Sequence, residues 1–109
     1  MNNIELKTKK YFYFWKSKNI KELSKLFDNG VILQDWENVV NGKEDLIKFN
    51  TQFFNSVDNI ELDVVNIYNY SNITFSELII RVNNNIIKVL DKIEYNKKGL
   101  ITKITAYKG

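Results

Sequence analysis

The second half of the chain alternates between apolar and polar residues with the period of a β-strand. Four such runs cover about residues 60–68, 73–82, 86–95 and 100–107, and polar turns separate them at Asn69 to Asn72, Asn83 to Asn85 and Asn96 to Gly99. Because short turns join antiparallel neighbours, this pattern predicts a meander of four antiparallel strands. The chain has no proline, so its turns depend on Asn and Gly to supply positive φ angles.

The first half of the chain has helical spacing instead. The first predicted helix carries one stripe, formed by Ile4, Thr8, Tyr11, Phe12 and Trp15. Asn19 is suited to cap a second, short helix, with Glu22 as its capping-box partner, and Asn29-Gly30 is expected to end that helix. The predicted buried face of the second helix consists of Ile20, Leu23, Leu26 and Phe27.

A strand and a third helix complete the first half. The strand runs from Gly30 through Asp35-Trp36, and Val39 and Val40 are expected to pair as a short strand. Gly42 to Asp45 opens the third helix, whose predicted inner face is Leu46, Phe49, Phe53 and Val57. The order of elements predicts one α+β domain over residues 1–109, with three N-terminal helices packed on one face of a curved, mainly antiparallel sheet.

Two residue types are missing, and their absence excludes whole classes of chemistry. The sequence contains no cysteine, which excludes disulfides, thiolate metal sites and cysteine nucleophiles. It also contains no histidine, the commonest general base and metal ligand, so histidine-dependent triads are excluded. Acid–base chemistry must therefore come from carboxylates, tyrosine or lysine, and we expect neither a metal ion nor another cofactor.

The net charge of +3 gives little support to a nucleic-acid interface. Lysines between Lys7 and Lys25 are interleaved with aromatic residues, but this pattern is more typical of the solvated faces of two amphipathic helices. Arg81 is the only arginine, and a single arginine provides few bidentate contacts to phosphates or bases. No stretch has the apolar length of a membrane span and no signal-peptide core opens the chain, so we expect a cytoplasmic protein that binds neither nucleic acid nor membrane.

Asp91 falls on the apolar face of its predicted strand. That face carries Ile87, Val89, Asp91, Ile93 and Tyr95, and the opposite face carries Lys88, Leu90, Lys92 and Glu94. An isolated carboxylate is not buried in its ionised form, so burial predicts a raised pKa and a neutral acid. A neutral carboxylic acid in an apolar cavity can donate a strong hydrogen bond, which makes Asp91 a candidate functional residue.

Asp35 repeats this arrangement on an earlier strand, where it shares a face with Val31 and Leu33. The structural interpretation of either aspartate is a residue at the edge of the core that bonds a backbone amide or caps a turn. Two such aspartates on separate strands favour a functional role more than a single one would. The structural and the functional interpretation both stay open.

The order of elements and the C-terminal sequence V-L-D-K-I-E-Y-N-K-K-G-L-I-T-K-I-T-A-Y-K-G, from Val89 to Gly109, resemble the nuclear transport factor 2-like superfamily. The resemblance covers nearly the whole chain. In that fold a strand with an inward Asp turns at a Gly and returns through an I-x-A-Y strand. The enzyme branches of the superfamily are ketosteroid isomerases, SnoaL-like polyketide cyclases and limonene epoxide hydrolases, and the resemblance implies a cone-like domain with a pocket.

Site residues follow from the same resemblance. The isomerase branch uses a tyrosine on the first helix, an aspartate base on the first strand and a protonated aspartate on a later strand. The resemblance places Tyr11 of K-K-Y-F-Y-F-W, Asp35 of L-Q-D-W and Asp91 of V-L-D-K-I at these positions. It implies that Asp35 removes a proton from the carbon α to a carbonyl, while Tyr11 and neutral Asp91 donate hydrogen bonds to the carbonyl oxygen.

The sequence also departs from that branch. Trp36 stands where isomerases commonly have a proline, and Phe27 and Asn50 stand where some members have supporting tyrosines. These departures argue against assuming a steroid. The Asp-Arg-Asp set of the epoxide hydrolases is not matched, because Arg81 has no second aspartate on the required strand.

Three interpretations of function remain. In the first, the protein is an isomerase or cyclase that acts on a small apolar carbonyl ligand. The residues predicted to bind this ligand are Trp15, Trp36, Phe49, Phe53 and Phe54. Ordinary packing in the core would also explain each of these aromatic residues. In the second, the same pocket binds a ligand without catalysis. In the third, the sheet mediates homodimerisation, because Leu78 and Ile80 lie opposite Ile79 and Arg81, so both faces of that strand carry apolar residues.

Overall fold

The computed structural model describes residues 3–109, and it contains three helices in the first half of the chain. They are α1 (Ile4–Lys16), α2 (Ile20–Ser24) and α3 (Lys43–Ser56). The Asn3 side chain accepts a hydrogen bond from the Leu6 amide at the start of α1. The Asn19 side chain accepts one from the Glu22 amide at the start of α2. Both asparagines thus satisfy amides that have no partner within the helix, as predicted for Asn19.

Within residues 3–109, six strands form one open sheet. The strands are β1 (Phe27–Gln34), β2 (Val39–Asn41), β3 (Ile60–Tyr70), β4 (Ile73–Val82), β5 (Asn85–Tyr95) and β6 (Ile101–Lys108). Their order across the sheet is β2-β1-β6-β5-β4-β3. β1 and β6 are parallel, and the other pairs are antiparallel. The predicted meander and the mainly antiparallel α+β architecture are confirmed.

The second helix is shorter than its sequence pattern predicts. It ends at Ser24, and Phe27, which was predicted on its buried face, opens β1 instead. Phe27 pairs there with Ile101 of β6, whose amide donates a hydrogen bond to the Leu26 carbonyl. Gly30 does not end a helix either, because it lies inside β1 where the register with β6 shifts. Pairing with a strand far along the chain overrides the local helical spacing, so the predicted boundary was wrong.

The buried face of α3 is centred on a different stripe from the predicted one. Leu46, Asn50 and Phe54 are its buried residues, at the four-residue spacing of one helix face. Phe49 and Phe53 are only partly buried beside that stripe. This shift matters for the site, because it brings a polar residue, Asn50, to the inner face of the helix.

The packed core fills one end of the molecule. Among the inward side chains of β5, Ile93 is 0% and Tyr95 is 2% exposed, Val89 is 6% exposed, and Ile87 is half-buried. The fully buried residues around the packed end include Leu23, Phe27, Leu46, Ile101 and Ile104. The helices therefore close against the sheet near Tyr95 and leave space beside Ile87 and Val89. Among residues 3–109, none of the helices combines the length and the hydrophobicity that a bilayer crossing requires.

Candidate active site

A cavity of about 360 Å³ opens between the helices and the inner face of the sheet. Most of its wall is apolar, and the side chains from β3, β4, β5 and β6 are Leu62, Leu78, Ile80, Val82, Ile87, Val89, Ile104 and Ala106. The three predicted catalytic residues, Tyr11, Asp35 and Asp91, also line it. The fold thus brings together three groups that are remote in the sequence.

Asp91 lies on the inner face of β5, as the alternation of the sequence predicts. Its flanking inward neighbours are Val89 and Ile93, and it is only 8% exposed. No residue in the described range 3–109 forms a hydrogen bond to its carboxyl group. Burial, and secondly the negative charge of Asp35, raise the pKa of Asp91 to about 7. Half of the Asp91 side chains are therefore neutral near pH 7, and more are neutral below it.

Tyr11 reaches the cavity from α1. Its ring packs edge-on against Phe12, with ring centroids 5.3 Å apart, and in a tilted arrangement against Phe27 at 6.3 Å. The residue is 5% exposed. Burial first, and then the charges of Asp91 and Tyr95, raise its pKa well above the ordinary value. The Tyr11 hydroxyl therefore stays protonated, and within residues 3–109 it has no hydrogen-bond partner, so it is free to donate to a ligand.

Asp35 directly follows β1, which ends at Gln34 and not at Trp36 as predicted. The residue is half-buried, and its Oδ1 accepts hydrogen bonds from the Glu37 amide at 2.8 Å and the Asn38 amide at 2.6 Å. The Asn38 side-chain amide lies 3.3 Å from Oδ1 and 3.4 Å from Oδ2. Oδ1 therefore caps the turn that follows β1, whereas Oδ2 makes only the long Asn38 contact.

Four of the five aromatic residues predicted to bind a ligand line the cavity, namely Trp15, Trp36, Phe49 and Phe53. Trp15 stacks on Phe53 with ring centroids 5.5 Å apart and an interplanar angle of 18°. Trp36 is 43% exposed, and the Lys108 ammonium lies 5.8 Å from the centroid of its ring. The placement of Phe54 is corrected by the structure. Phe54 is buried and packs edge-on against Trp15 at 6.1 Å, so it supports the wall from behind.

Sequence patterns missed part of the lining. Asn50 was noted only as a departure from the isomerase pattern, yet its spacing from Leu46 and Phe54 would have placed it on the inner face of α3. Asn83 and Asn85 were assigned to a turn, and they lie at the rim of the cavity together with Glu37 and Asn38. No local pattern indicates which turn of a sheet borders an open cavity, because this depends on where the helices close the other end.

A buried hydroxyl cluster lies behind the cavity, toward the packed core. Thr8 Oγ1 is 2.9 Å from Thr74 Oγ1 and 2.7 Å from the Tyr95 hydroxyl. Burial raises the pKa of Tyr95 to about 12, against the opposing effect of its hydrogen bond with Thr8. These hydroxyls satisfy one another, so the cluster is a structural one. It links α1 to β4 and β5 one helical turn from Tyr11.

The polar groups of the cavity suit proton transfer at an apolar carbonyl compound. The Asp35 carboxyl group has one oxygen with only a long contact, to the Asn38 side-chain amide. The Asp91 carboxyl group is neutral over part of the physiological pH range, and the Tyr11 phenol is protonated. Within residues 3–109, no group of three His, Cys, Asp or Glu side chains is arranged to hold a metal ion. The described polar side chains are thus one half-buried carboxyl group, one buried carboxyl group with a raised pKa and one buried phenol, in an apolar surrounding.

Comparisons with known proteins place the fold. The sequence matches no family model and has no significant match among curated proteins. Solved structures match it over almost its full length. An NTF2-like protein of unknown function from Cytophaga hutchinsonii has a TM-score of 0.86 and 13% identity, over 100% of this chain and 92% of that one.

Two other similar structures carry enzyme names. A candidate SnoaL-like polyketide cyclase from Shewanella putrefaciens has a TM-score of 0.87 and 12% identity, over 99% of this chain and 80% of that one. A candidate ketosteroid isomerase from Kribbella flavida has a TM-score of 0.84 and 15% identity, over 94% of this chain and 74% of that one. The chain therefore has the cone-like α+β fold of nuclear transport factor 2-like proteins, as predicted. At these identities the similarity establishes the fold and leaves the activity to be inferred from the site.

Proposed function

We propose that this protein catalyses proton transfer at the carbon next to a carbonyl group of a small, largely apolar ligand. One observation carries the proposal: Tyr11, Asp35 and Asp91 line the same apolar cavity, although they come from α1, the end of β1 and β5. Structures of the same fold with isomerase and cyclase names support it.

Asp35 is the proposed base. Its Oδ1 is held by the amides of the following turn, which fixes the orientation of the carboxylate and leaves Oδ2 to accept a proton. Oδ2 takes the proton from the carbon α to the carbonyl. The electrons of the C–H bond form a C=C bond to the carbonyl carbon, and the π electrons of the C=O bond move onto the oxygen, which gives an enolate. Return of that proton to another carbon of the conjugated system gives an isomer, and attack of the enolate carbon on a second carbonyl group gives a ring.

Tyr11 and neutral Asp91 are the proposed donors to the enolate oxygen. Both are at most 8% exposed, so water competes little with them for that oxygen. A hydrogen bond from a preorganised donor is worth more in such an environment than in water. The mechanism needs Asp91 protonated, and its raised pKa of about 7 supplies that form at and below neutral pH.

The cavity volume limits the substrate. About 360 Å³ is at the lower end of the range of roughly 300–1,000 Å³ that is typical of small-molecule sites. Because most of the wall is apolar and aromatic, a flat and largely apolar carbonyl compound of few rings fits the proposal best. Phe27 and Asn50 stand where some ketosteroid isomerases have tyrosines that support the oxyanion tyrosine, so Tyr11 has no tyrosine hydroxyl from these positions beside it. This difference also argues against a steroid substrate.

A second candidate function is binding without turnover. It is favoured by the two backbone amides bonded to Asp35 Oδ1, since an aspartate that only caps a turn would make the same contacts. In that case Tyr11 and Asp91 would bind a carbonyl ligand while Asp35 would only hold the rim of the cavity. Turnover of a substrate that depends on Asp35 distinguishes the two functions.

The test uses cyclohex-3-enone, a small β,γ-unsaturated ketone whose isomerisation to the conjugated cyclohex-2-enone is followed by ultraviolet absorbance. The wild-type protein should accelerate the isomerisation, and Asp35→Asn should abolish the acceleration, because the amide cannot accept the proton. Asp28→Asn is the matched control, because Asp28 lies in β1, the strand that Asp35 directly follows, and does not line the cavity. Binding of the ketone with no turnover by the wild type would reject catalysis and leave the binding function.

We further propose that two copies of the chain pair through the outer face of the sheet. Residues directly opposite in neighbouring strands share a face, and one outer row joins Glu77, Leu90 and Tyr107 while the next joins Tyr68, Phe75 and Lys92. Tyr68 and Tyr107 are each 53% exposed on this face. Exposed tyrosines next to partly buried apolar side chains are typical of protein interfaces, which supports a homodimer.

A further inference from the structure

Asn50 is a buried polar residue that the proposed chemistry does not use. It occupies the inner face of α3, four residues from Leu46 and four from Phe54, and it lines the cavity. The residue is only 5% exposed. Its neighbours on that wall, Phe49 and Phe53, are apolar, so the side-chain amide is an isolated polar group there.

The Asn50 amide has no hydrogen-bond partner among residues 3–109. In the same range, Ser76 Oγ is the only side-chain polar atom that is both fully enclosed and without a partner. The amide atoms of Asn50, which also have no partner, are therefore not fully enclosed, and the cavity is the open space that this residue lines. Buried polar side chains normally find a partner, so an amide in this state needs one from the contents of the cavity.

Asn50 and Asp91 approach the cavity from different walls. α3 packs against β1 and β2, whereas Asp91 lies on β5, which β6 separates from β1. Neighbouring strands are about 4.8 Å apart, so β5 is roughly 10 Å from β1 across the sheet. This separation favours contact of Asn50 with a part of the ligand other than the group that Asp91 contacts.

We propose that Asn50 is a specificity-determining residue that binds a second polar group, a hydroxyl or a carbonyl, on the ligand. The inference rests on the proposed function, and it narrows the substrate class to apolar carbonyl compounds with a second oxygen. A primary amide has two N–H donors and one acceptor, so it serves either oxygen group. A ligand without that oxygen leaves the amide unpaired and is bound less tightly.

The test compares flat aryl alcohols, whose hydroxyl oxygen resembles an enolate oxygen. Binding of 2-naphthol and of its 2,3-, 2,6- and 2,7-dihydroxynaphthalene analogues is measured by their fluorescence. At least one diol should bind the wild type about 3- to 10-fold more tightly than 2-naphthol, which is the effect of one added neutral hydrogen bond. Asn50→Leu should remove this preference, so that no diol binds more tightly than 2-naphthol.

Asn55→Leu is the matched control. Asn55 lies in α3 like Asn50 but is exposed and does not line the cavity, so the same substitution there should keep the preference for the diol. The Tm of Asn50→Leu should be at least that of the wild type, because the change removes an unpaired buried amide. A structural role for Asn50 would lower that Tm instead, and this result would overturn the inference.

The outcomes separate this inference from the proposed function. If the wild type binds 2-naphthol and no diol more tightly, or if the preference survives in Asn50→Leu, the role of Asn50 is rejected and the carbonyl site stands. If the preference depends on Asn50 but cyclohex-3-enone is not isomerised, the second-oxygen site stands and catalysis is rejected. If no naphthol binds, the role of Asn50 is rejected, and isomerisation of cyclohex-3-enone alone decides the proposed function.

Discussion

The carboxyl groups of Asp35 and Asp91 border one cavity, and the charge of Asp35 contributes to the raised pKa of Asp91. The two residues are on different strands, and their environments differ. Asp35 is half-buried, and its carboxyl group accepts hydrogen bonds from two backbone amides. Asp91 is buried, and its carboxyl group has no hydrogen bond within residues 3–109. The buried environment favours the neutral form of Asp91, which is the form that a hydrogen-bond donor in the site requires.

The raised pKa of Asp91 makes folding stability depend on pH in a defined direction. The folded-state pKa of about 7 exceeds the ordinary value of 3.8, so the folded protein binds the proton more tightly than the unfolded chain does. The stabilisation of the folded state by the proton on Asp91 is complete below about pH 4, and it is lost as the pH rises to about 7. A shift of about three units corresponds to a fall on the order of 4 kcal/mol in the free energy of unfolding. Denaturant unfolding at a series of pH values measures it.

Asp91→Asn is the control for this pH dependence, because it removes the titrating group. The chain has no histidine or cysteine, so few other side chains titrate between pH 5 and 8. The variant should therefore show a nearly constant free energy of unfolding across that interval. A wild-type protein whose stability is equally constant there would contradict the assignment of a buried, titrating Asp91.

Substitutions of Asp35 separate its chemical role from its structural one. Asp35→Asn keeps an oxygen that can accept the Glu37 and Asn38 amides, so the turn should persist while the rate of cyclohex-3-enone isomerisation falls by about 10²–10⁴. Asp35→Ala removes the cap as well and should destabilise the fold by about 1 kcal/mol. Rates and unfolding midpoints of both variants check this. An active Asp35→Asn protein would reject the base assignment.

Two tyrosine-to-phenylalanine substitutions form a matched pair. The Tyr11 hydroxyl has no partner within residues 3–109, so Tyr11→Phe should lower the isomerisation rate by about 10²–10³ without lowering the free energy of unfolding. The Tyr95 hydroxyl bonds Thr8 at 2.7 Å inside the core. Tyr95→Phe should therefore cost about 1–3 kcal/mol of stability. Its effect on the isomerisation rate of the folded enzyme should be smaller than that of Tyr11→Phe. A larger rate effect for Tyr95→Phe and a larger loss of stability for Tyr11→Phe would contradict the assignment of Tyr11 as the donor and of Tyr95 as the structural phenol.

The exposed tyrosines on the outer face of the sheet predict that the protein forms a homodimer. Mass measurement in solution should give a homodimer. Tyr107→Glu should shift the equilibrium toward the monomer, because it replaces an exposed tyrosine by a second negative charge in the outer row that already contains Glu77. Glu37→Gln is a suitable control, since Glu37 is exposed at the cavity rim and is not on the outer face. A strictly monomeric wild-type protein would rule out pairing through this face.

The alternation of the second half was sufficient to predict the meander and the inward orientation of Asp91, because a period of two residues fixes which side chains share a face. The helix N-cap at Asn19 was predictable for a similar reason, since the signal is local. The boundary between α2 and β1 was not predictable in this way. Phe27 has helical spacing, and only its pairing with Ile101 of β6 makes it part of a strand.

The site was predictable in part. The strand faces indicated Asp35 and Asp91 as candidates, and the helical stripe placed Tyr11 on the inner face of α1. That the three residues belong to one site was implied only by the family resemblance. Whether they border one open space depends on how far the helices close over the sheet, and no local pattern encodes it. Phe54 shows the same limit, because the sequence cannot distinguish an aromatic side chain on the cavity wall from one packed behind Trp15.

The most direct test of the site is a pH titration of the Asp91 carboxyl carbon by NMR in protein labelled with ¹³C-aspartate, assigned by comparison with Asp91→Asn. An apparent pKa of about 7 is expected, with a lower value in Asp35→Asn because one of the causes of the shift is removed. An Asp91 pKa near the ordinary value of 3.8, unchanged by Asp35→Asn, would contradict a neutral donor in an apolar cavity and with it the proposed chemistry.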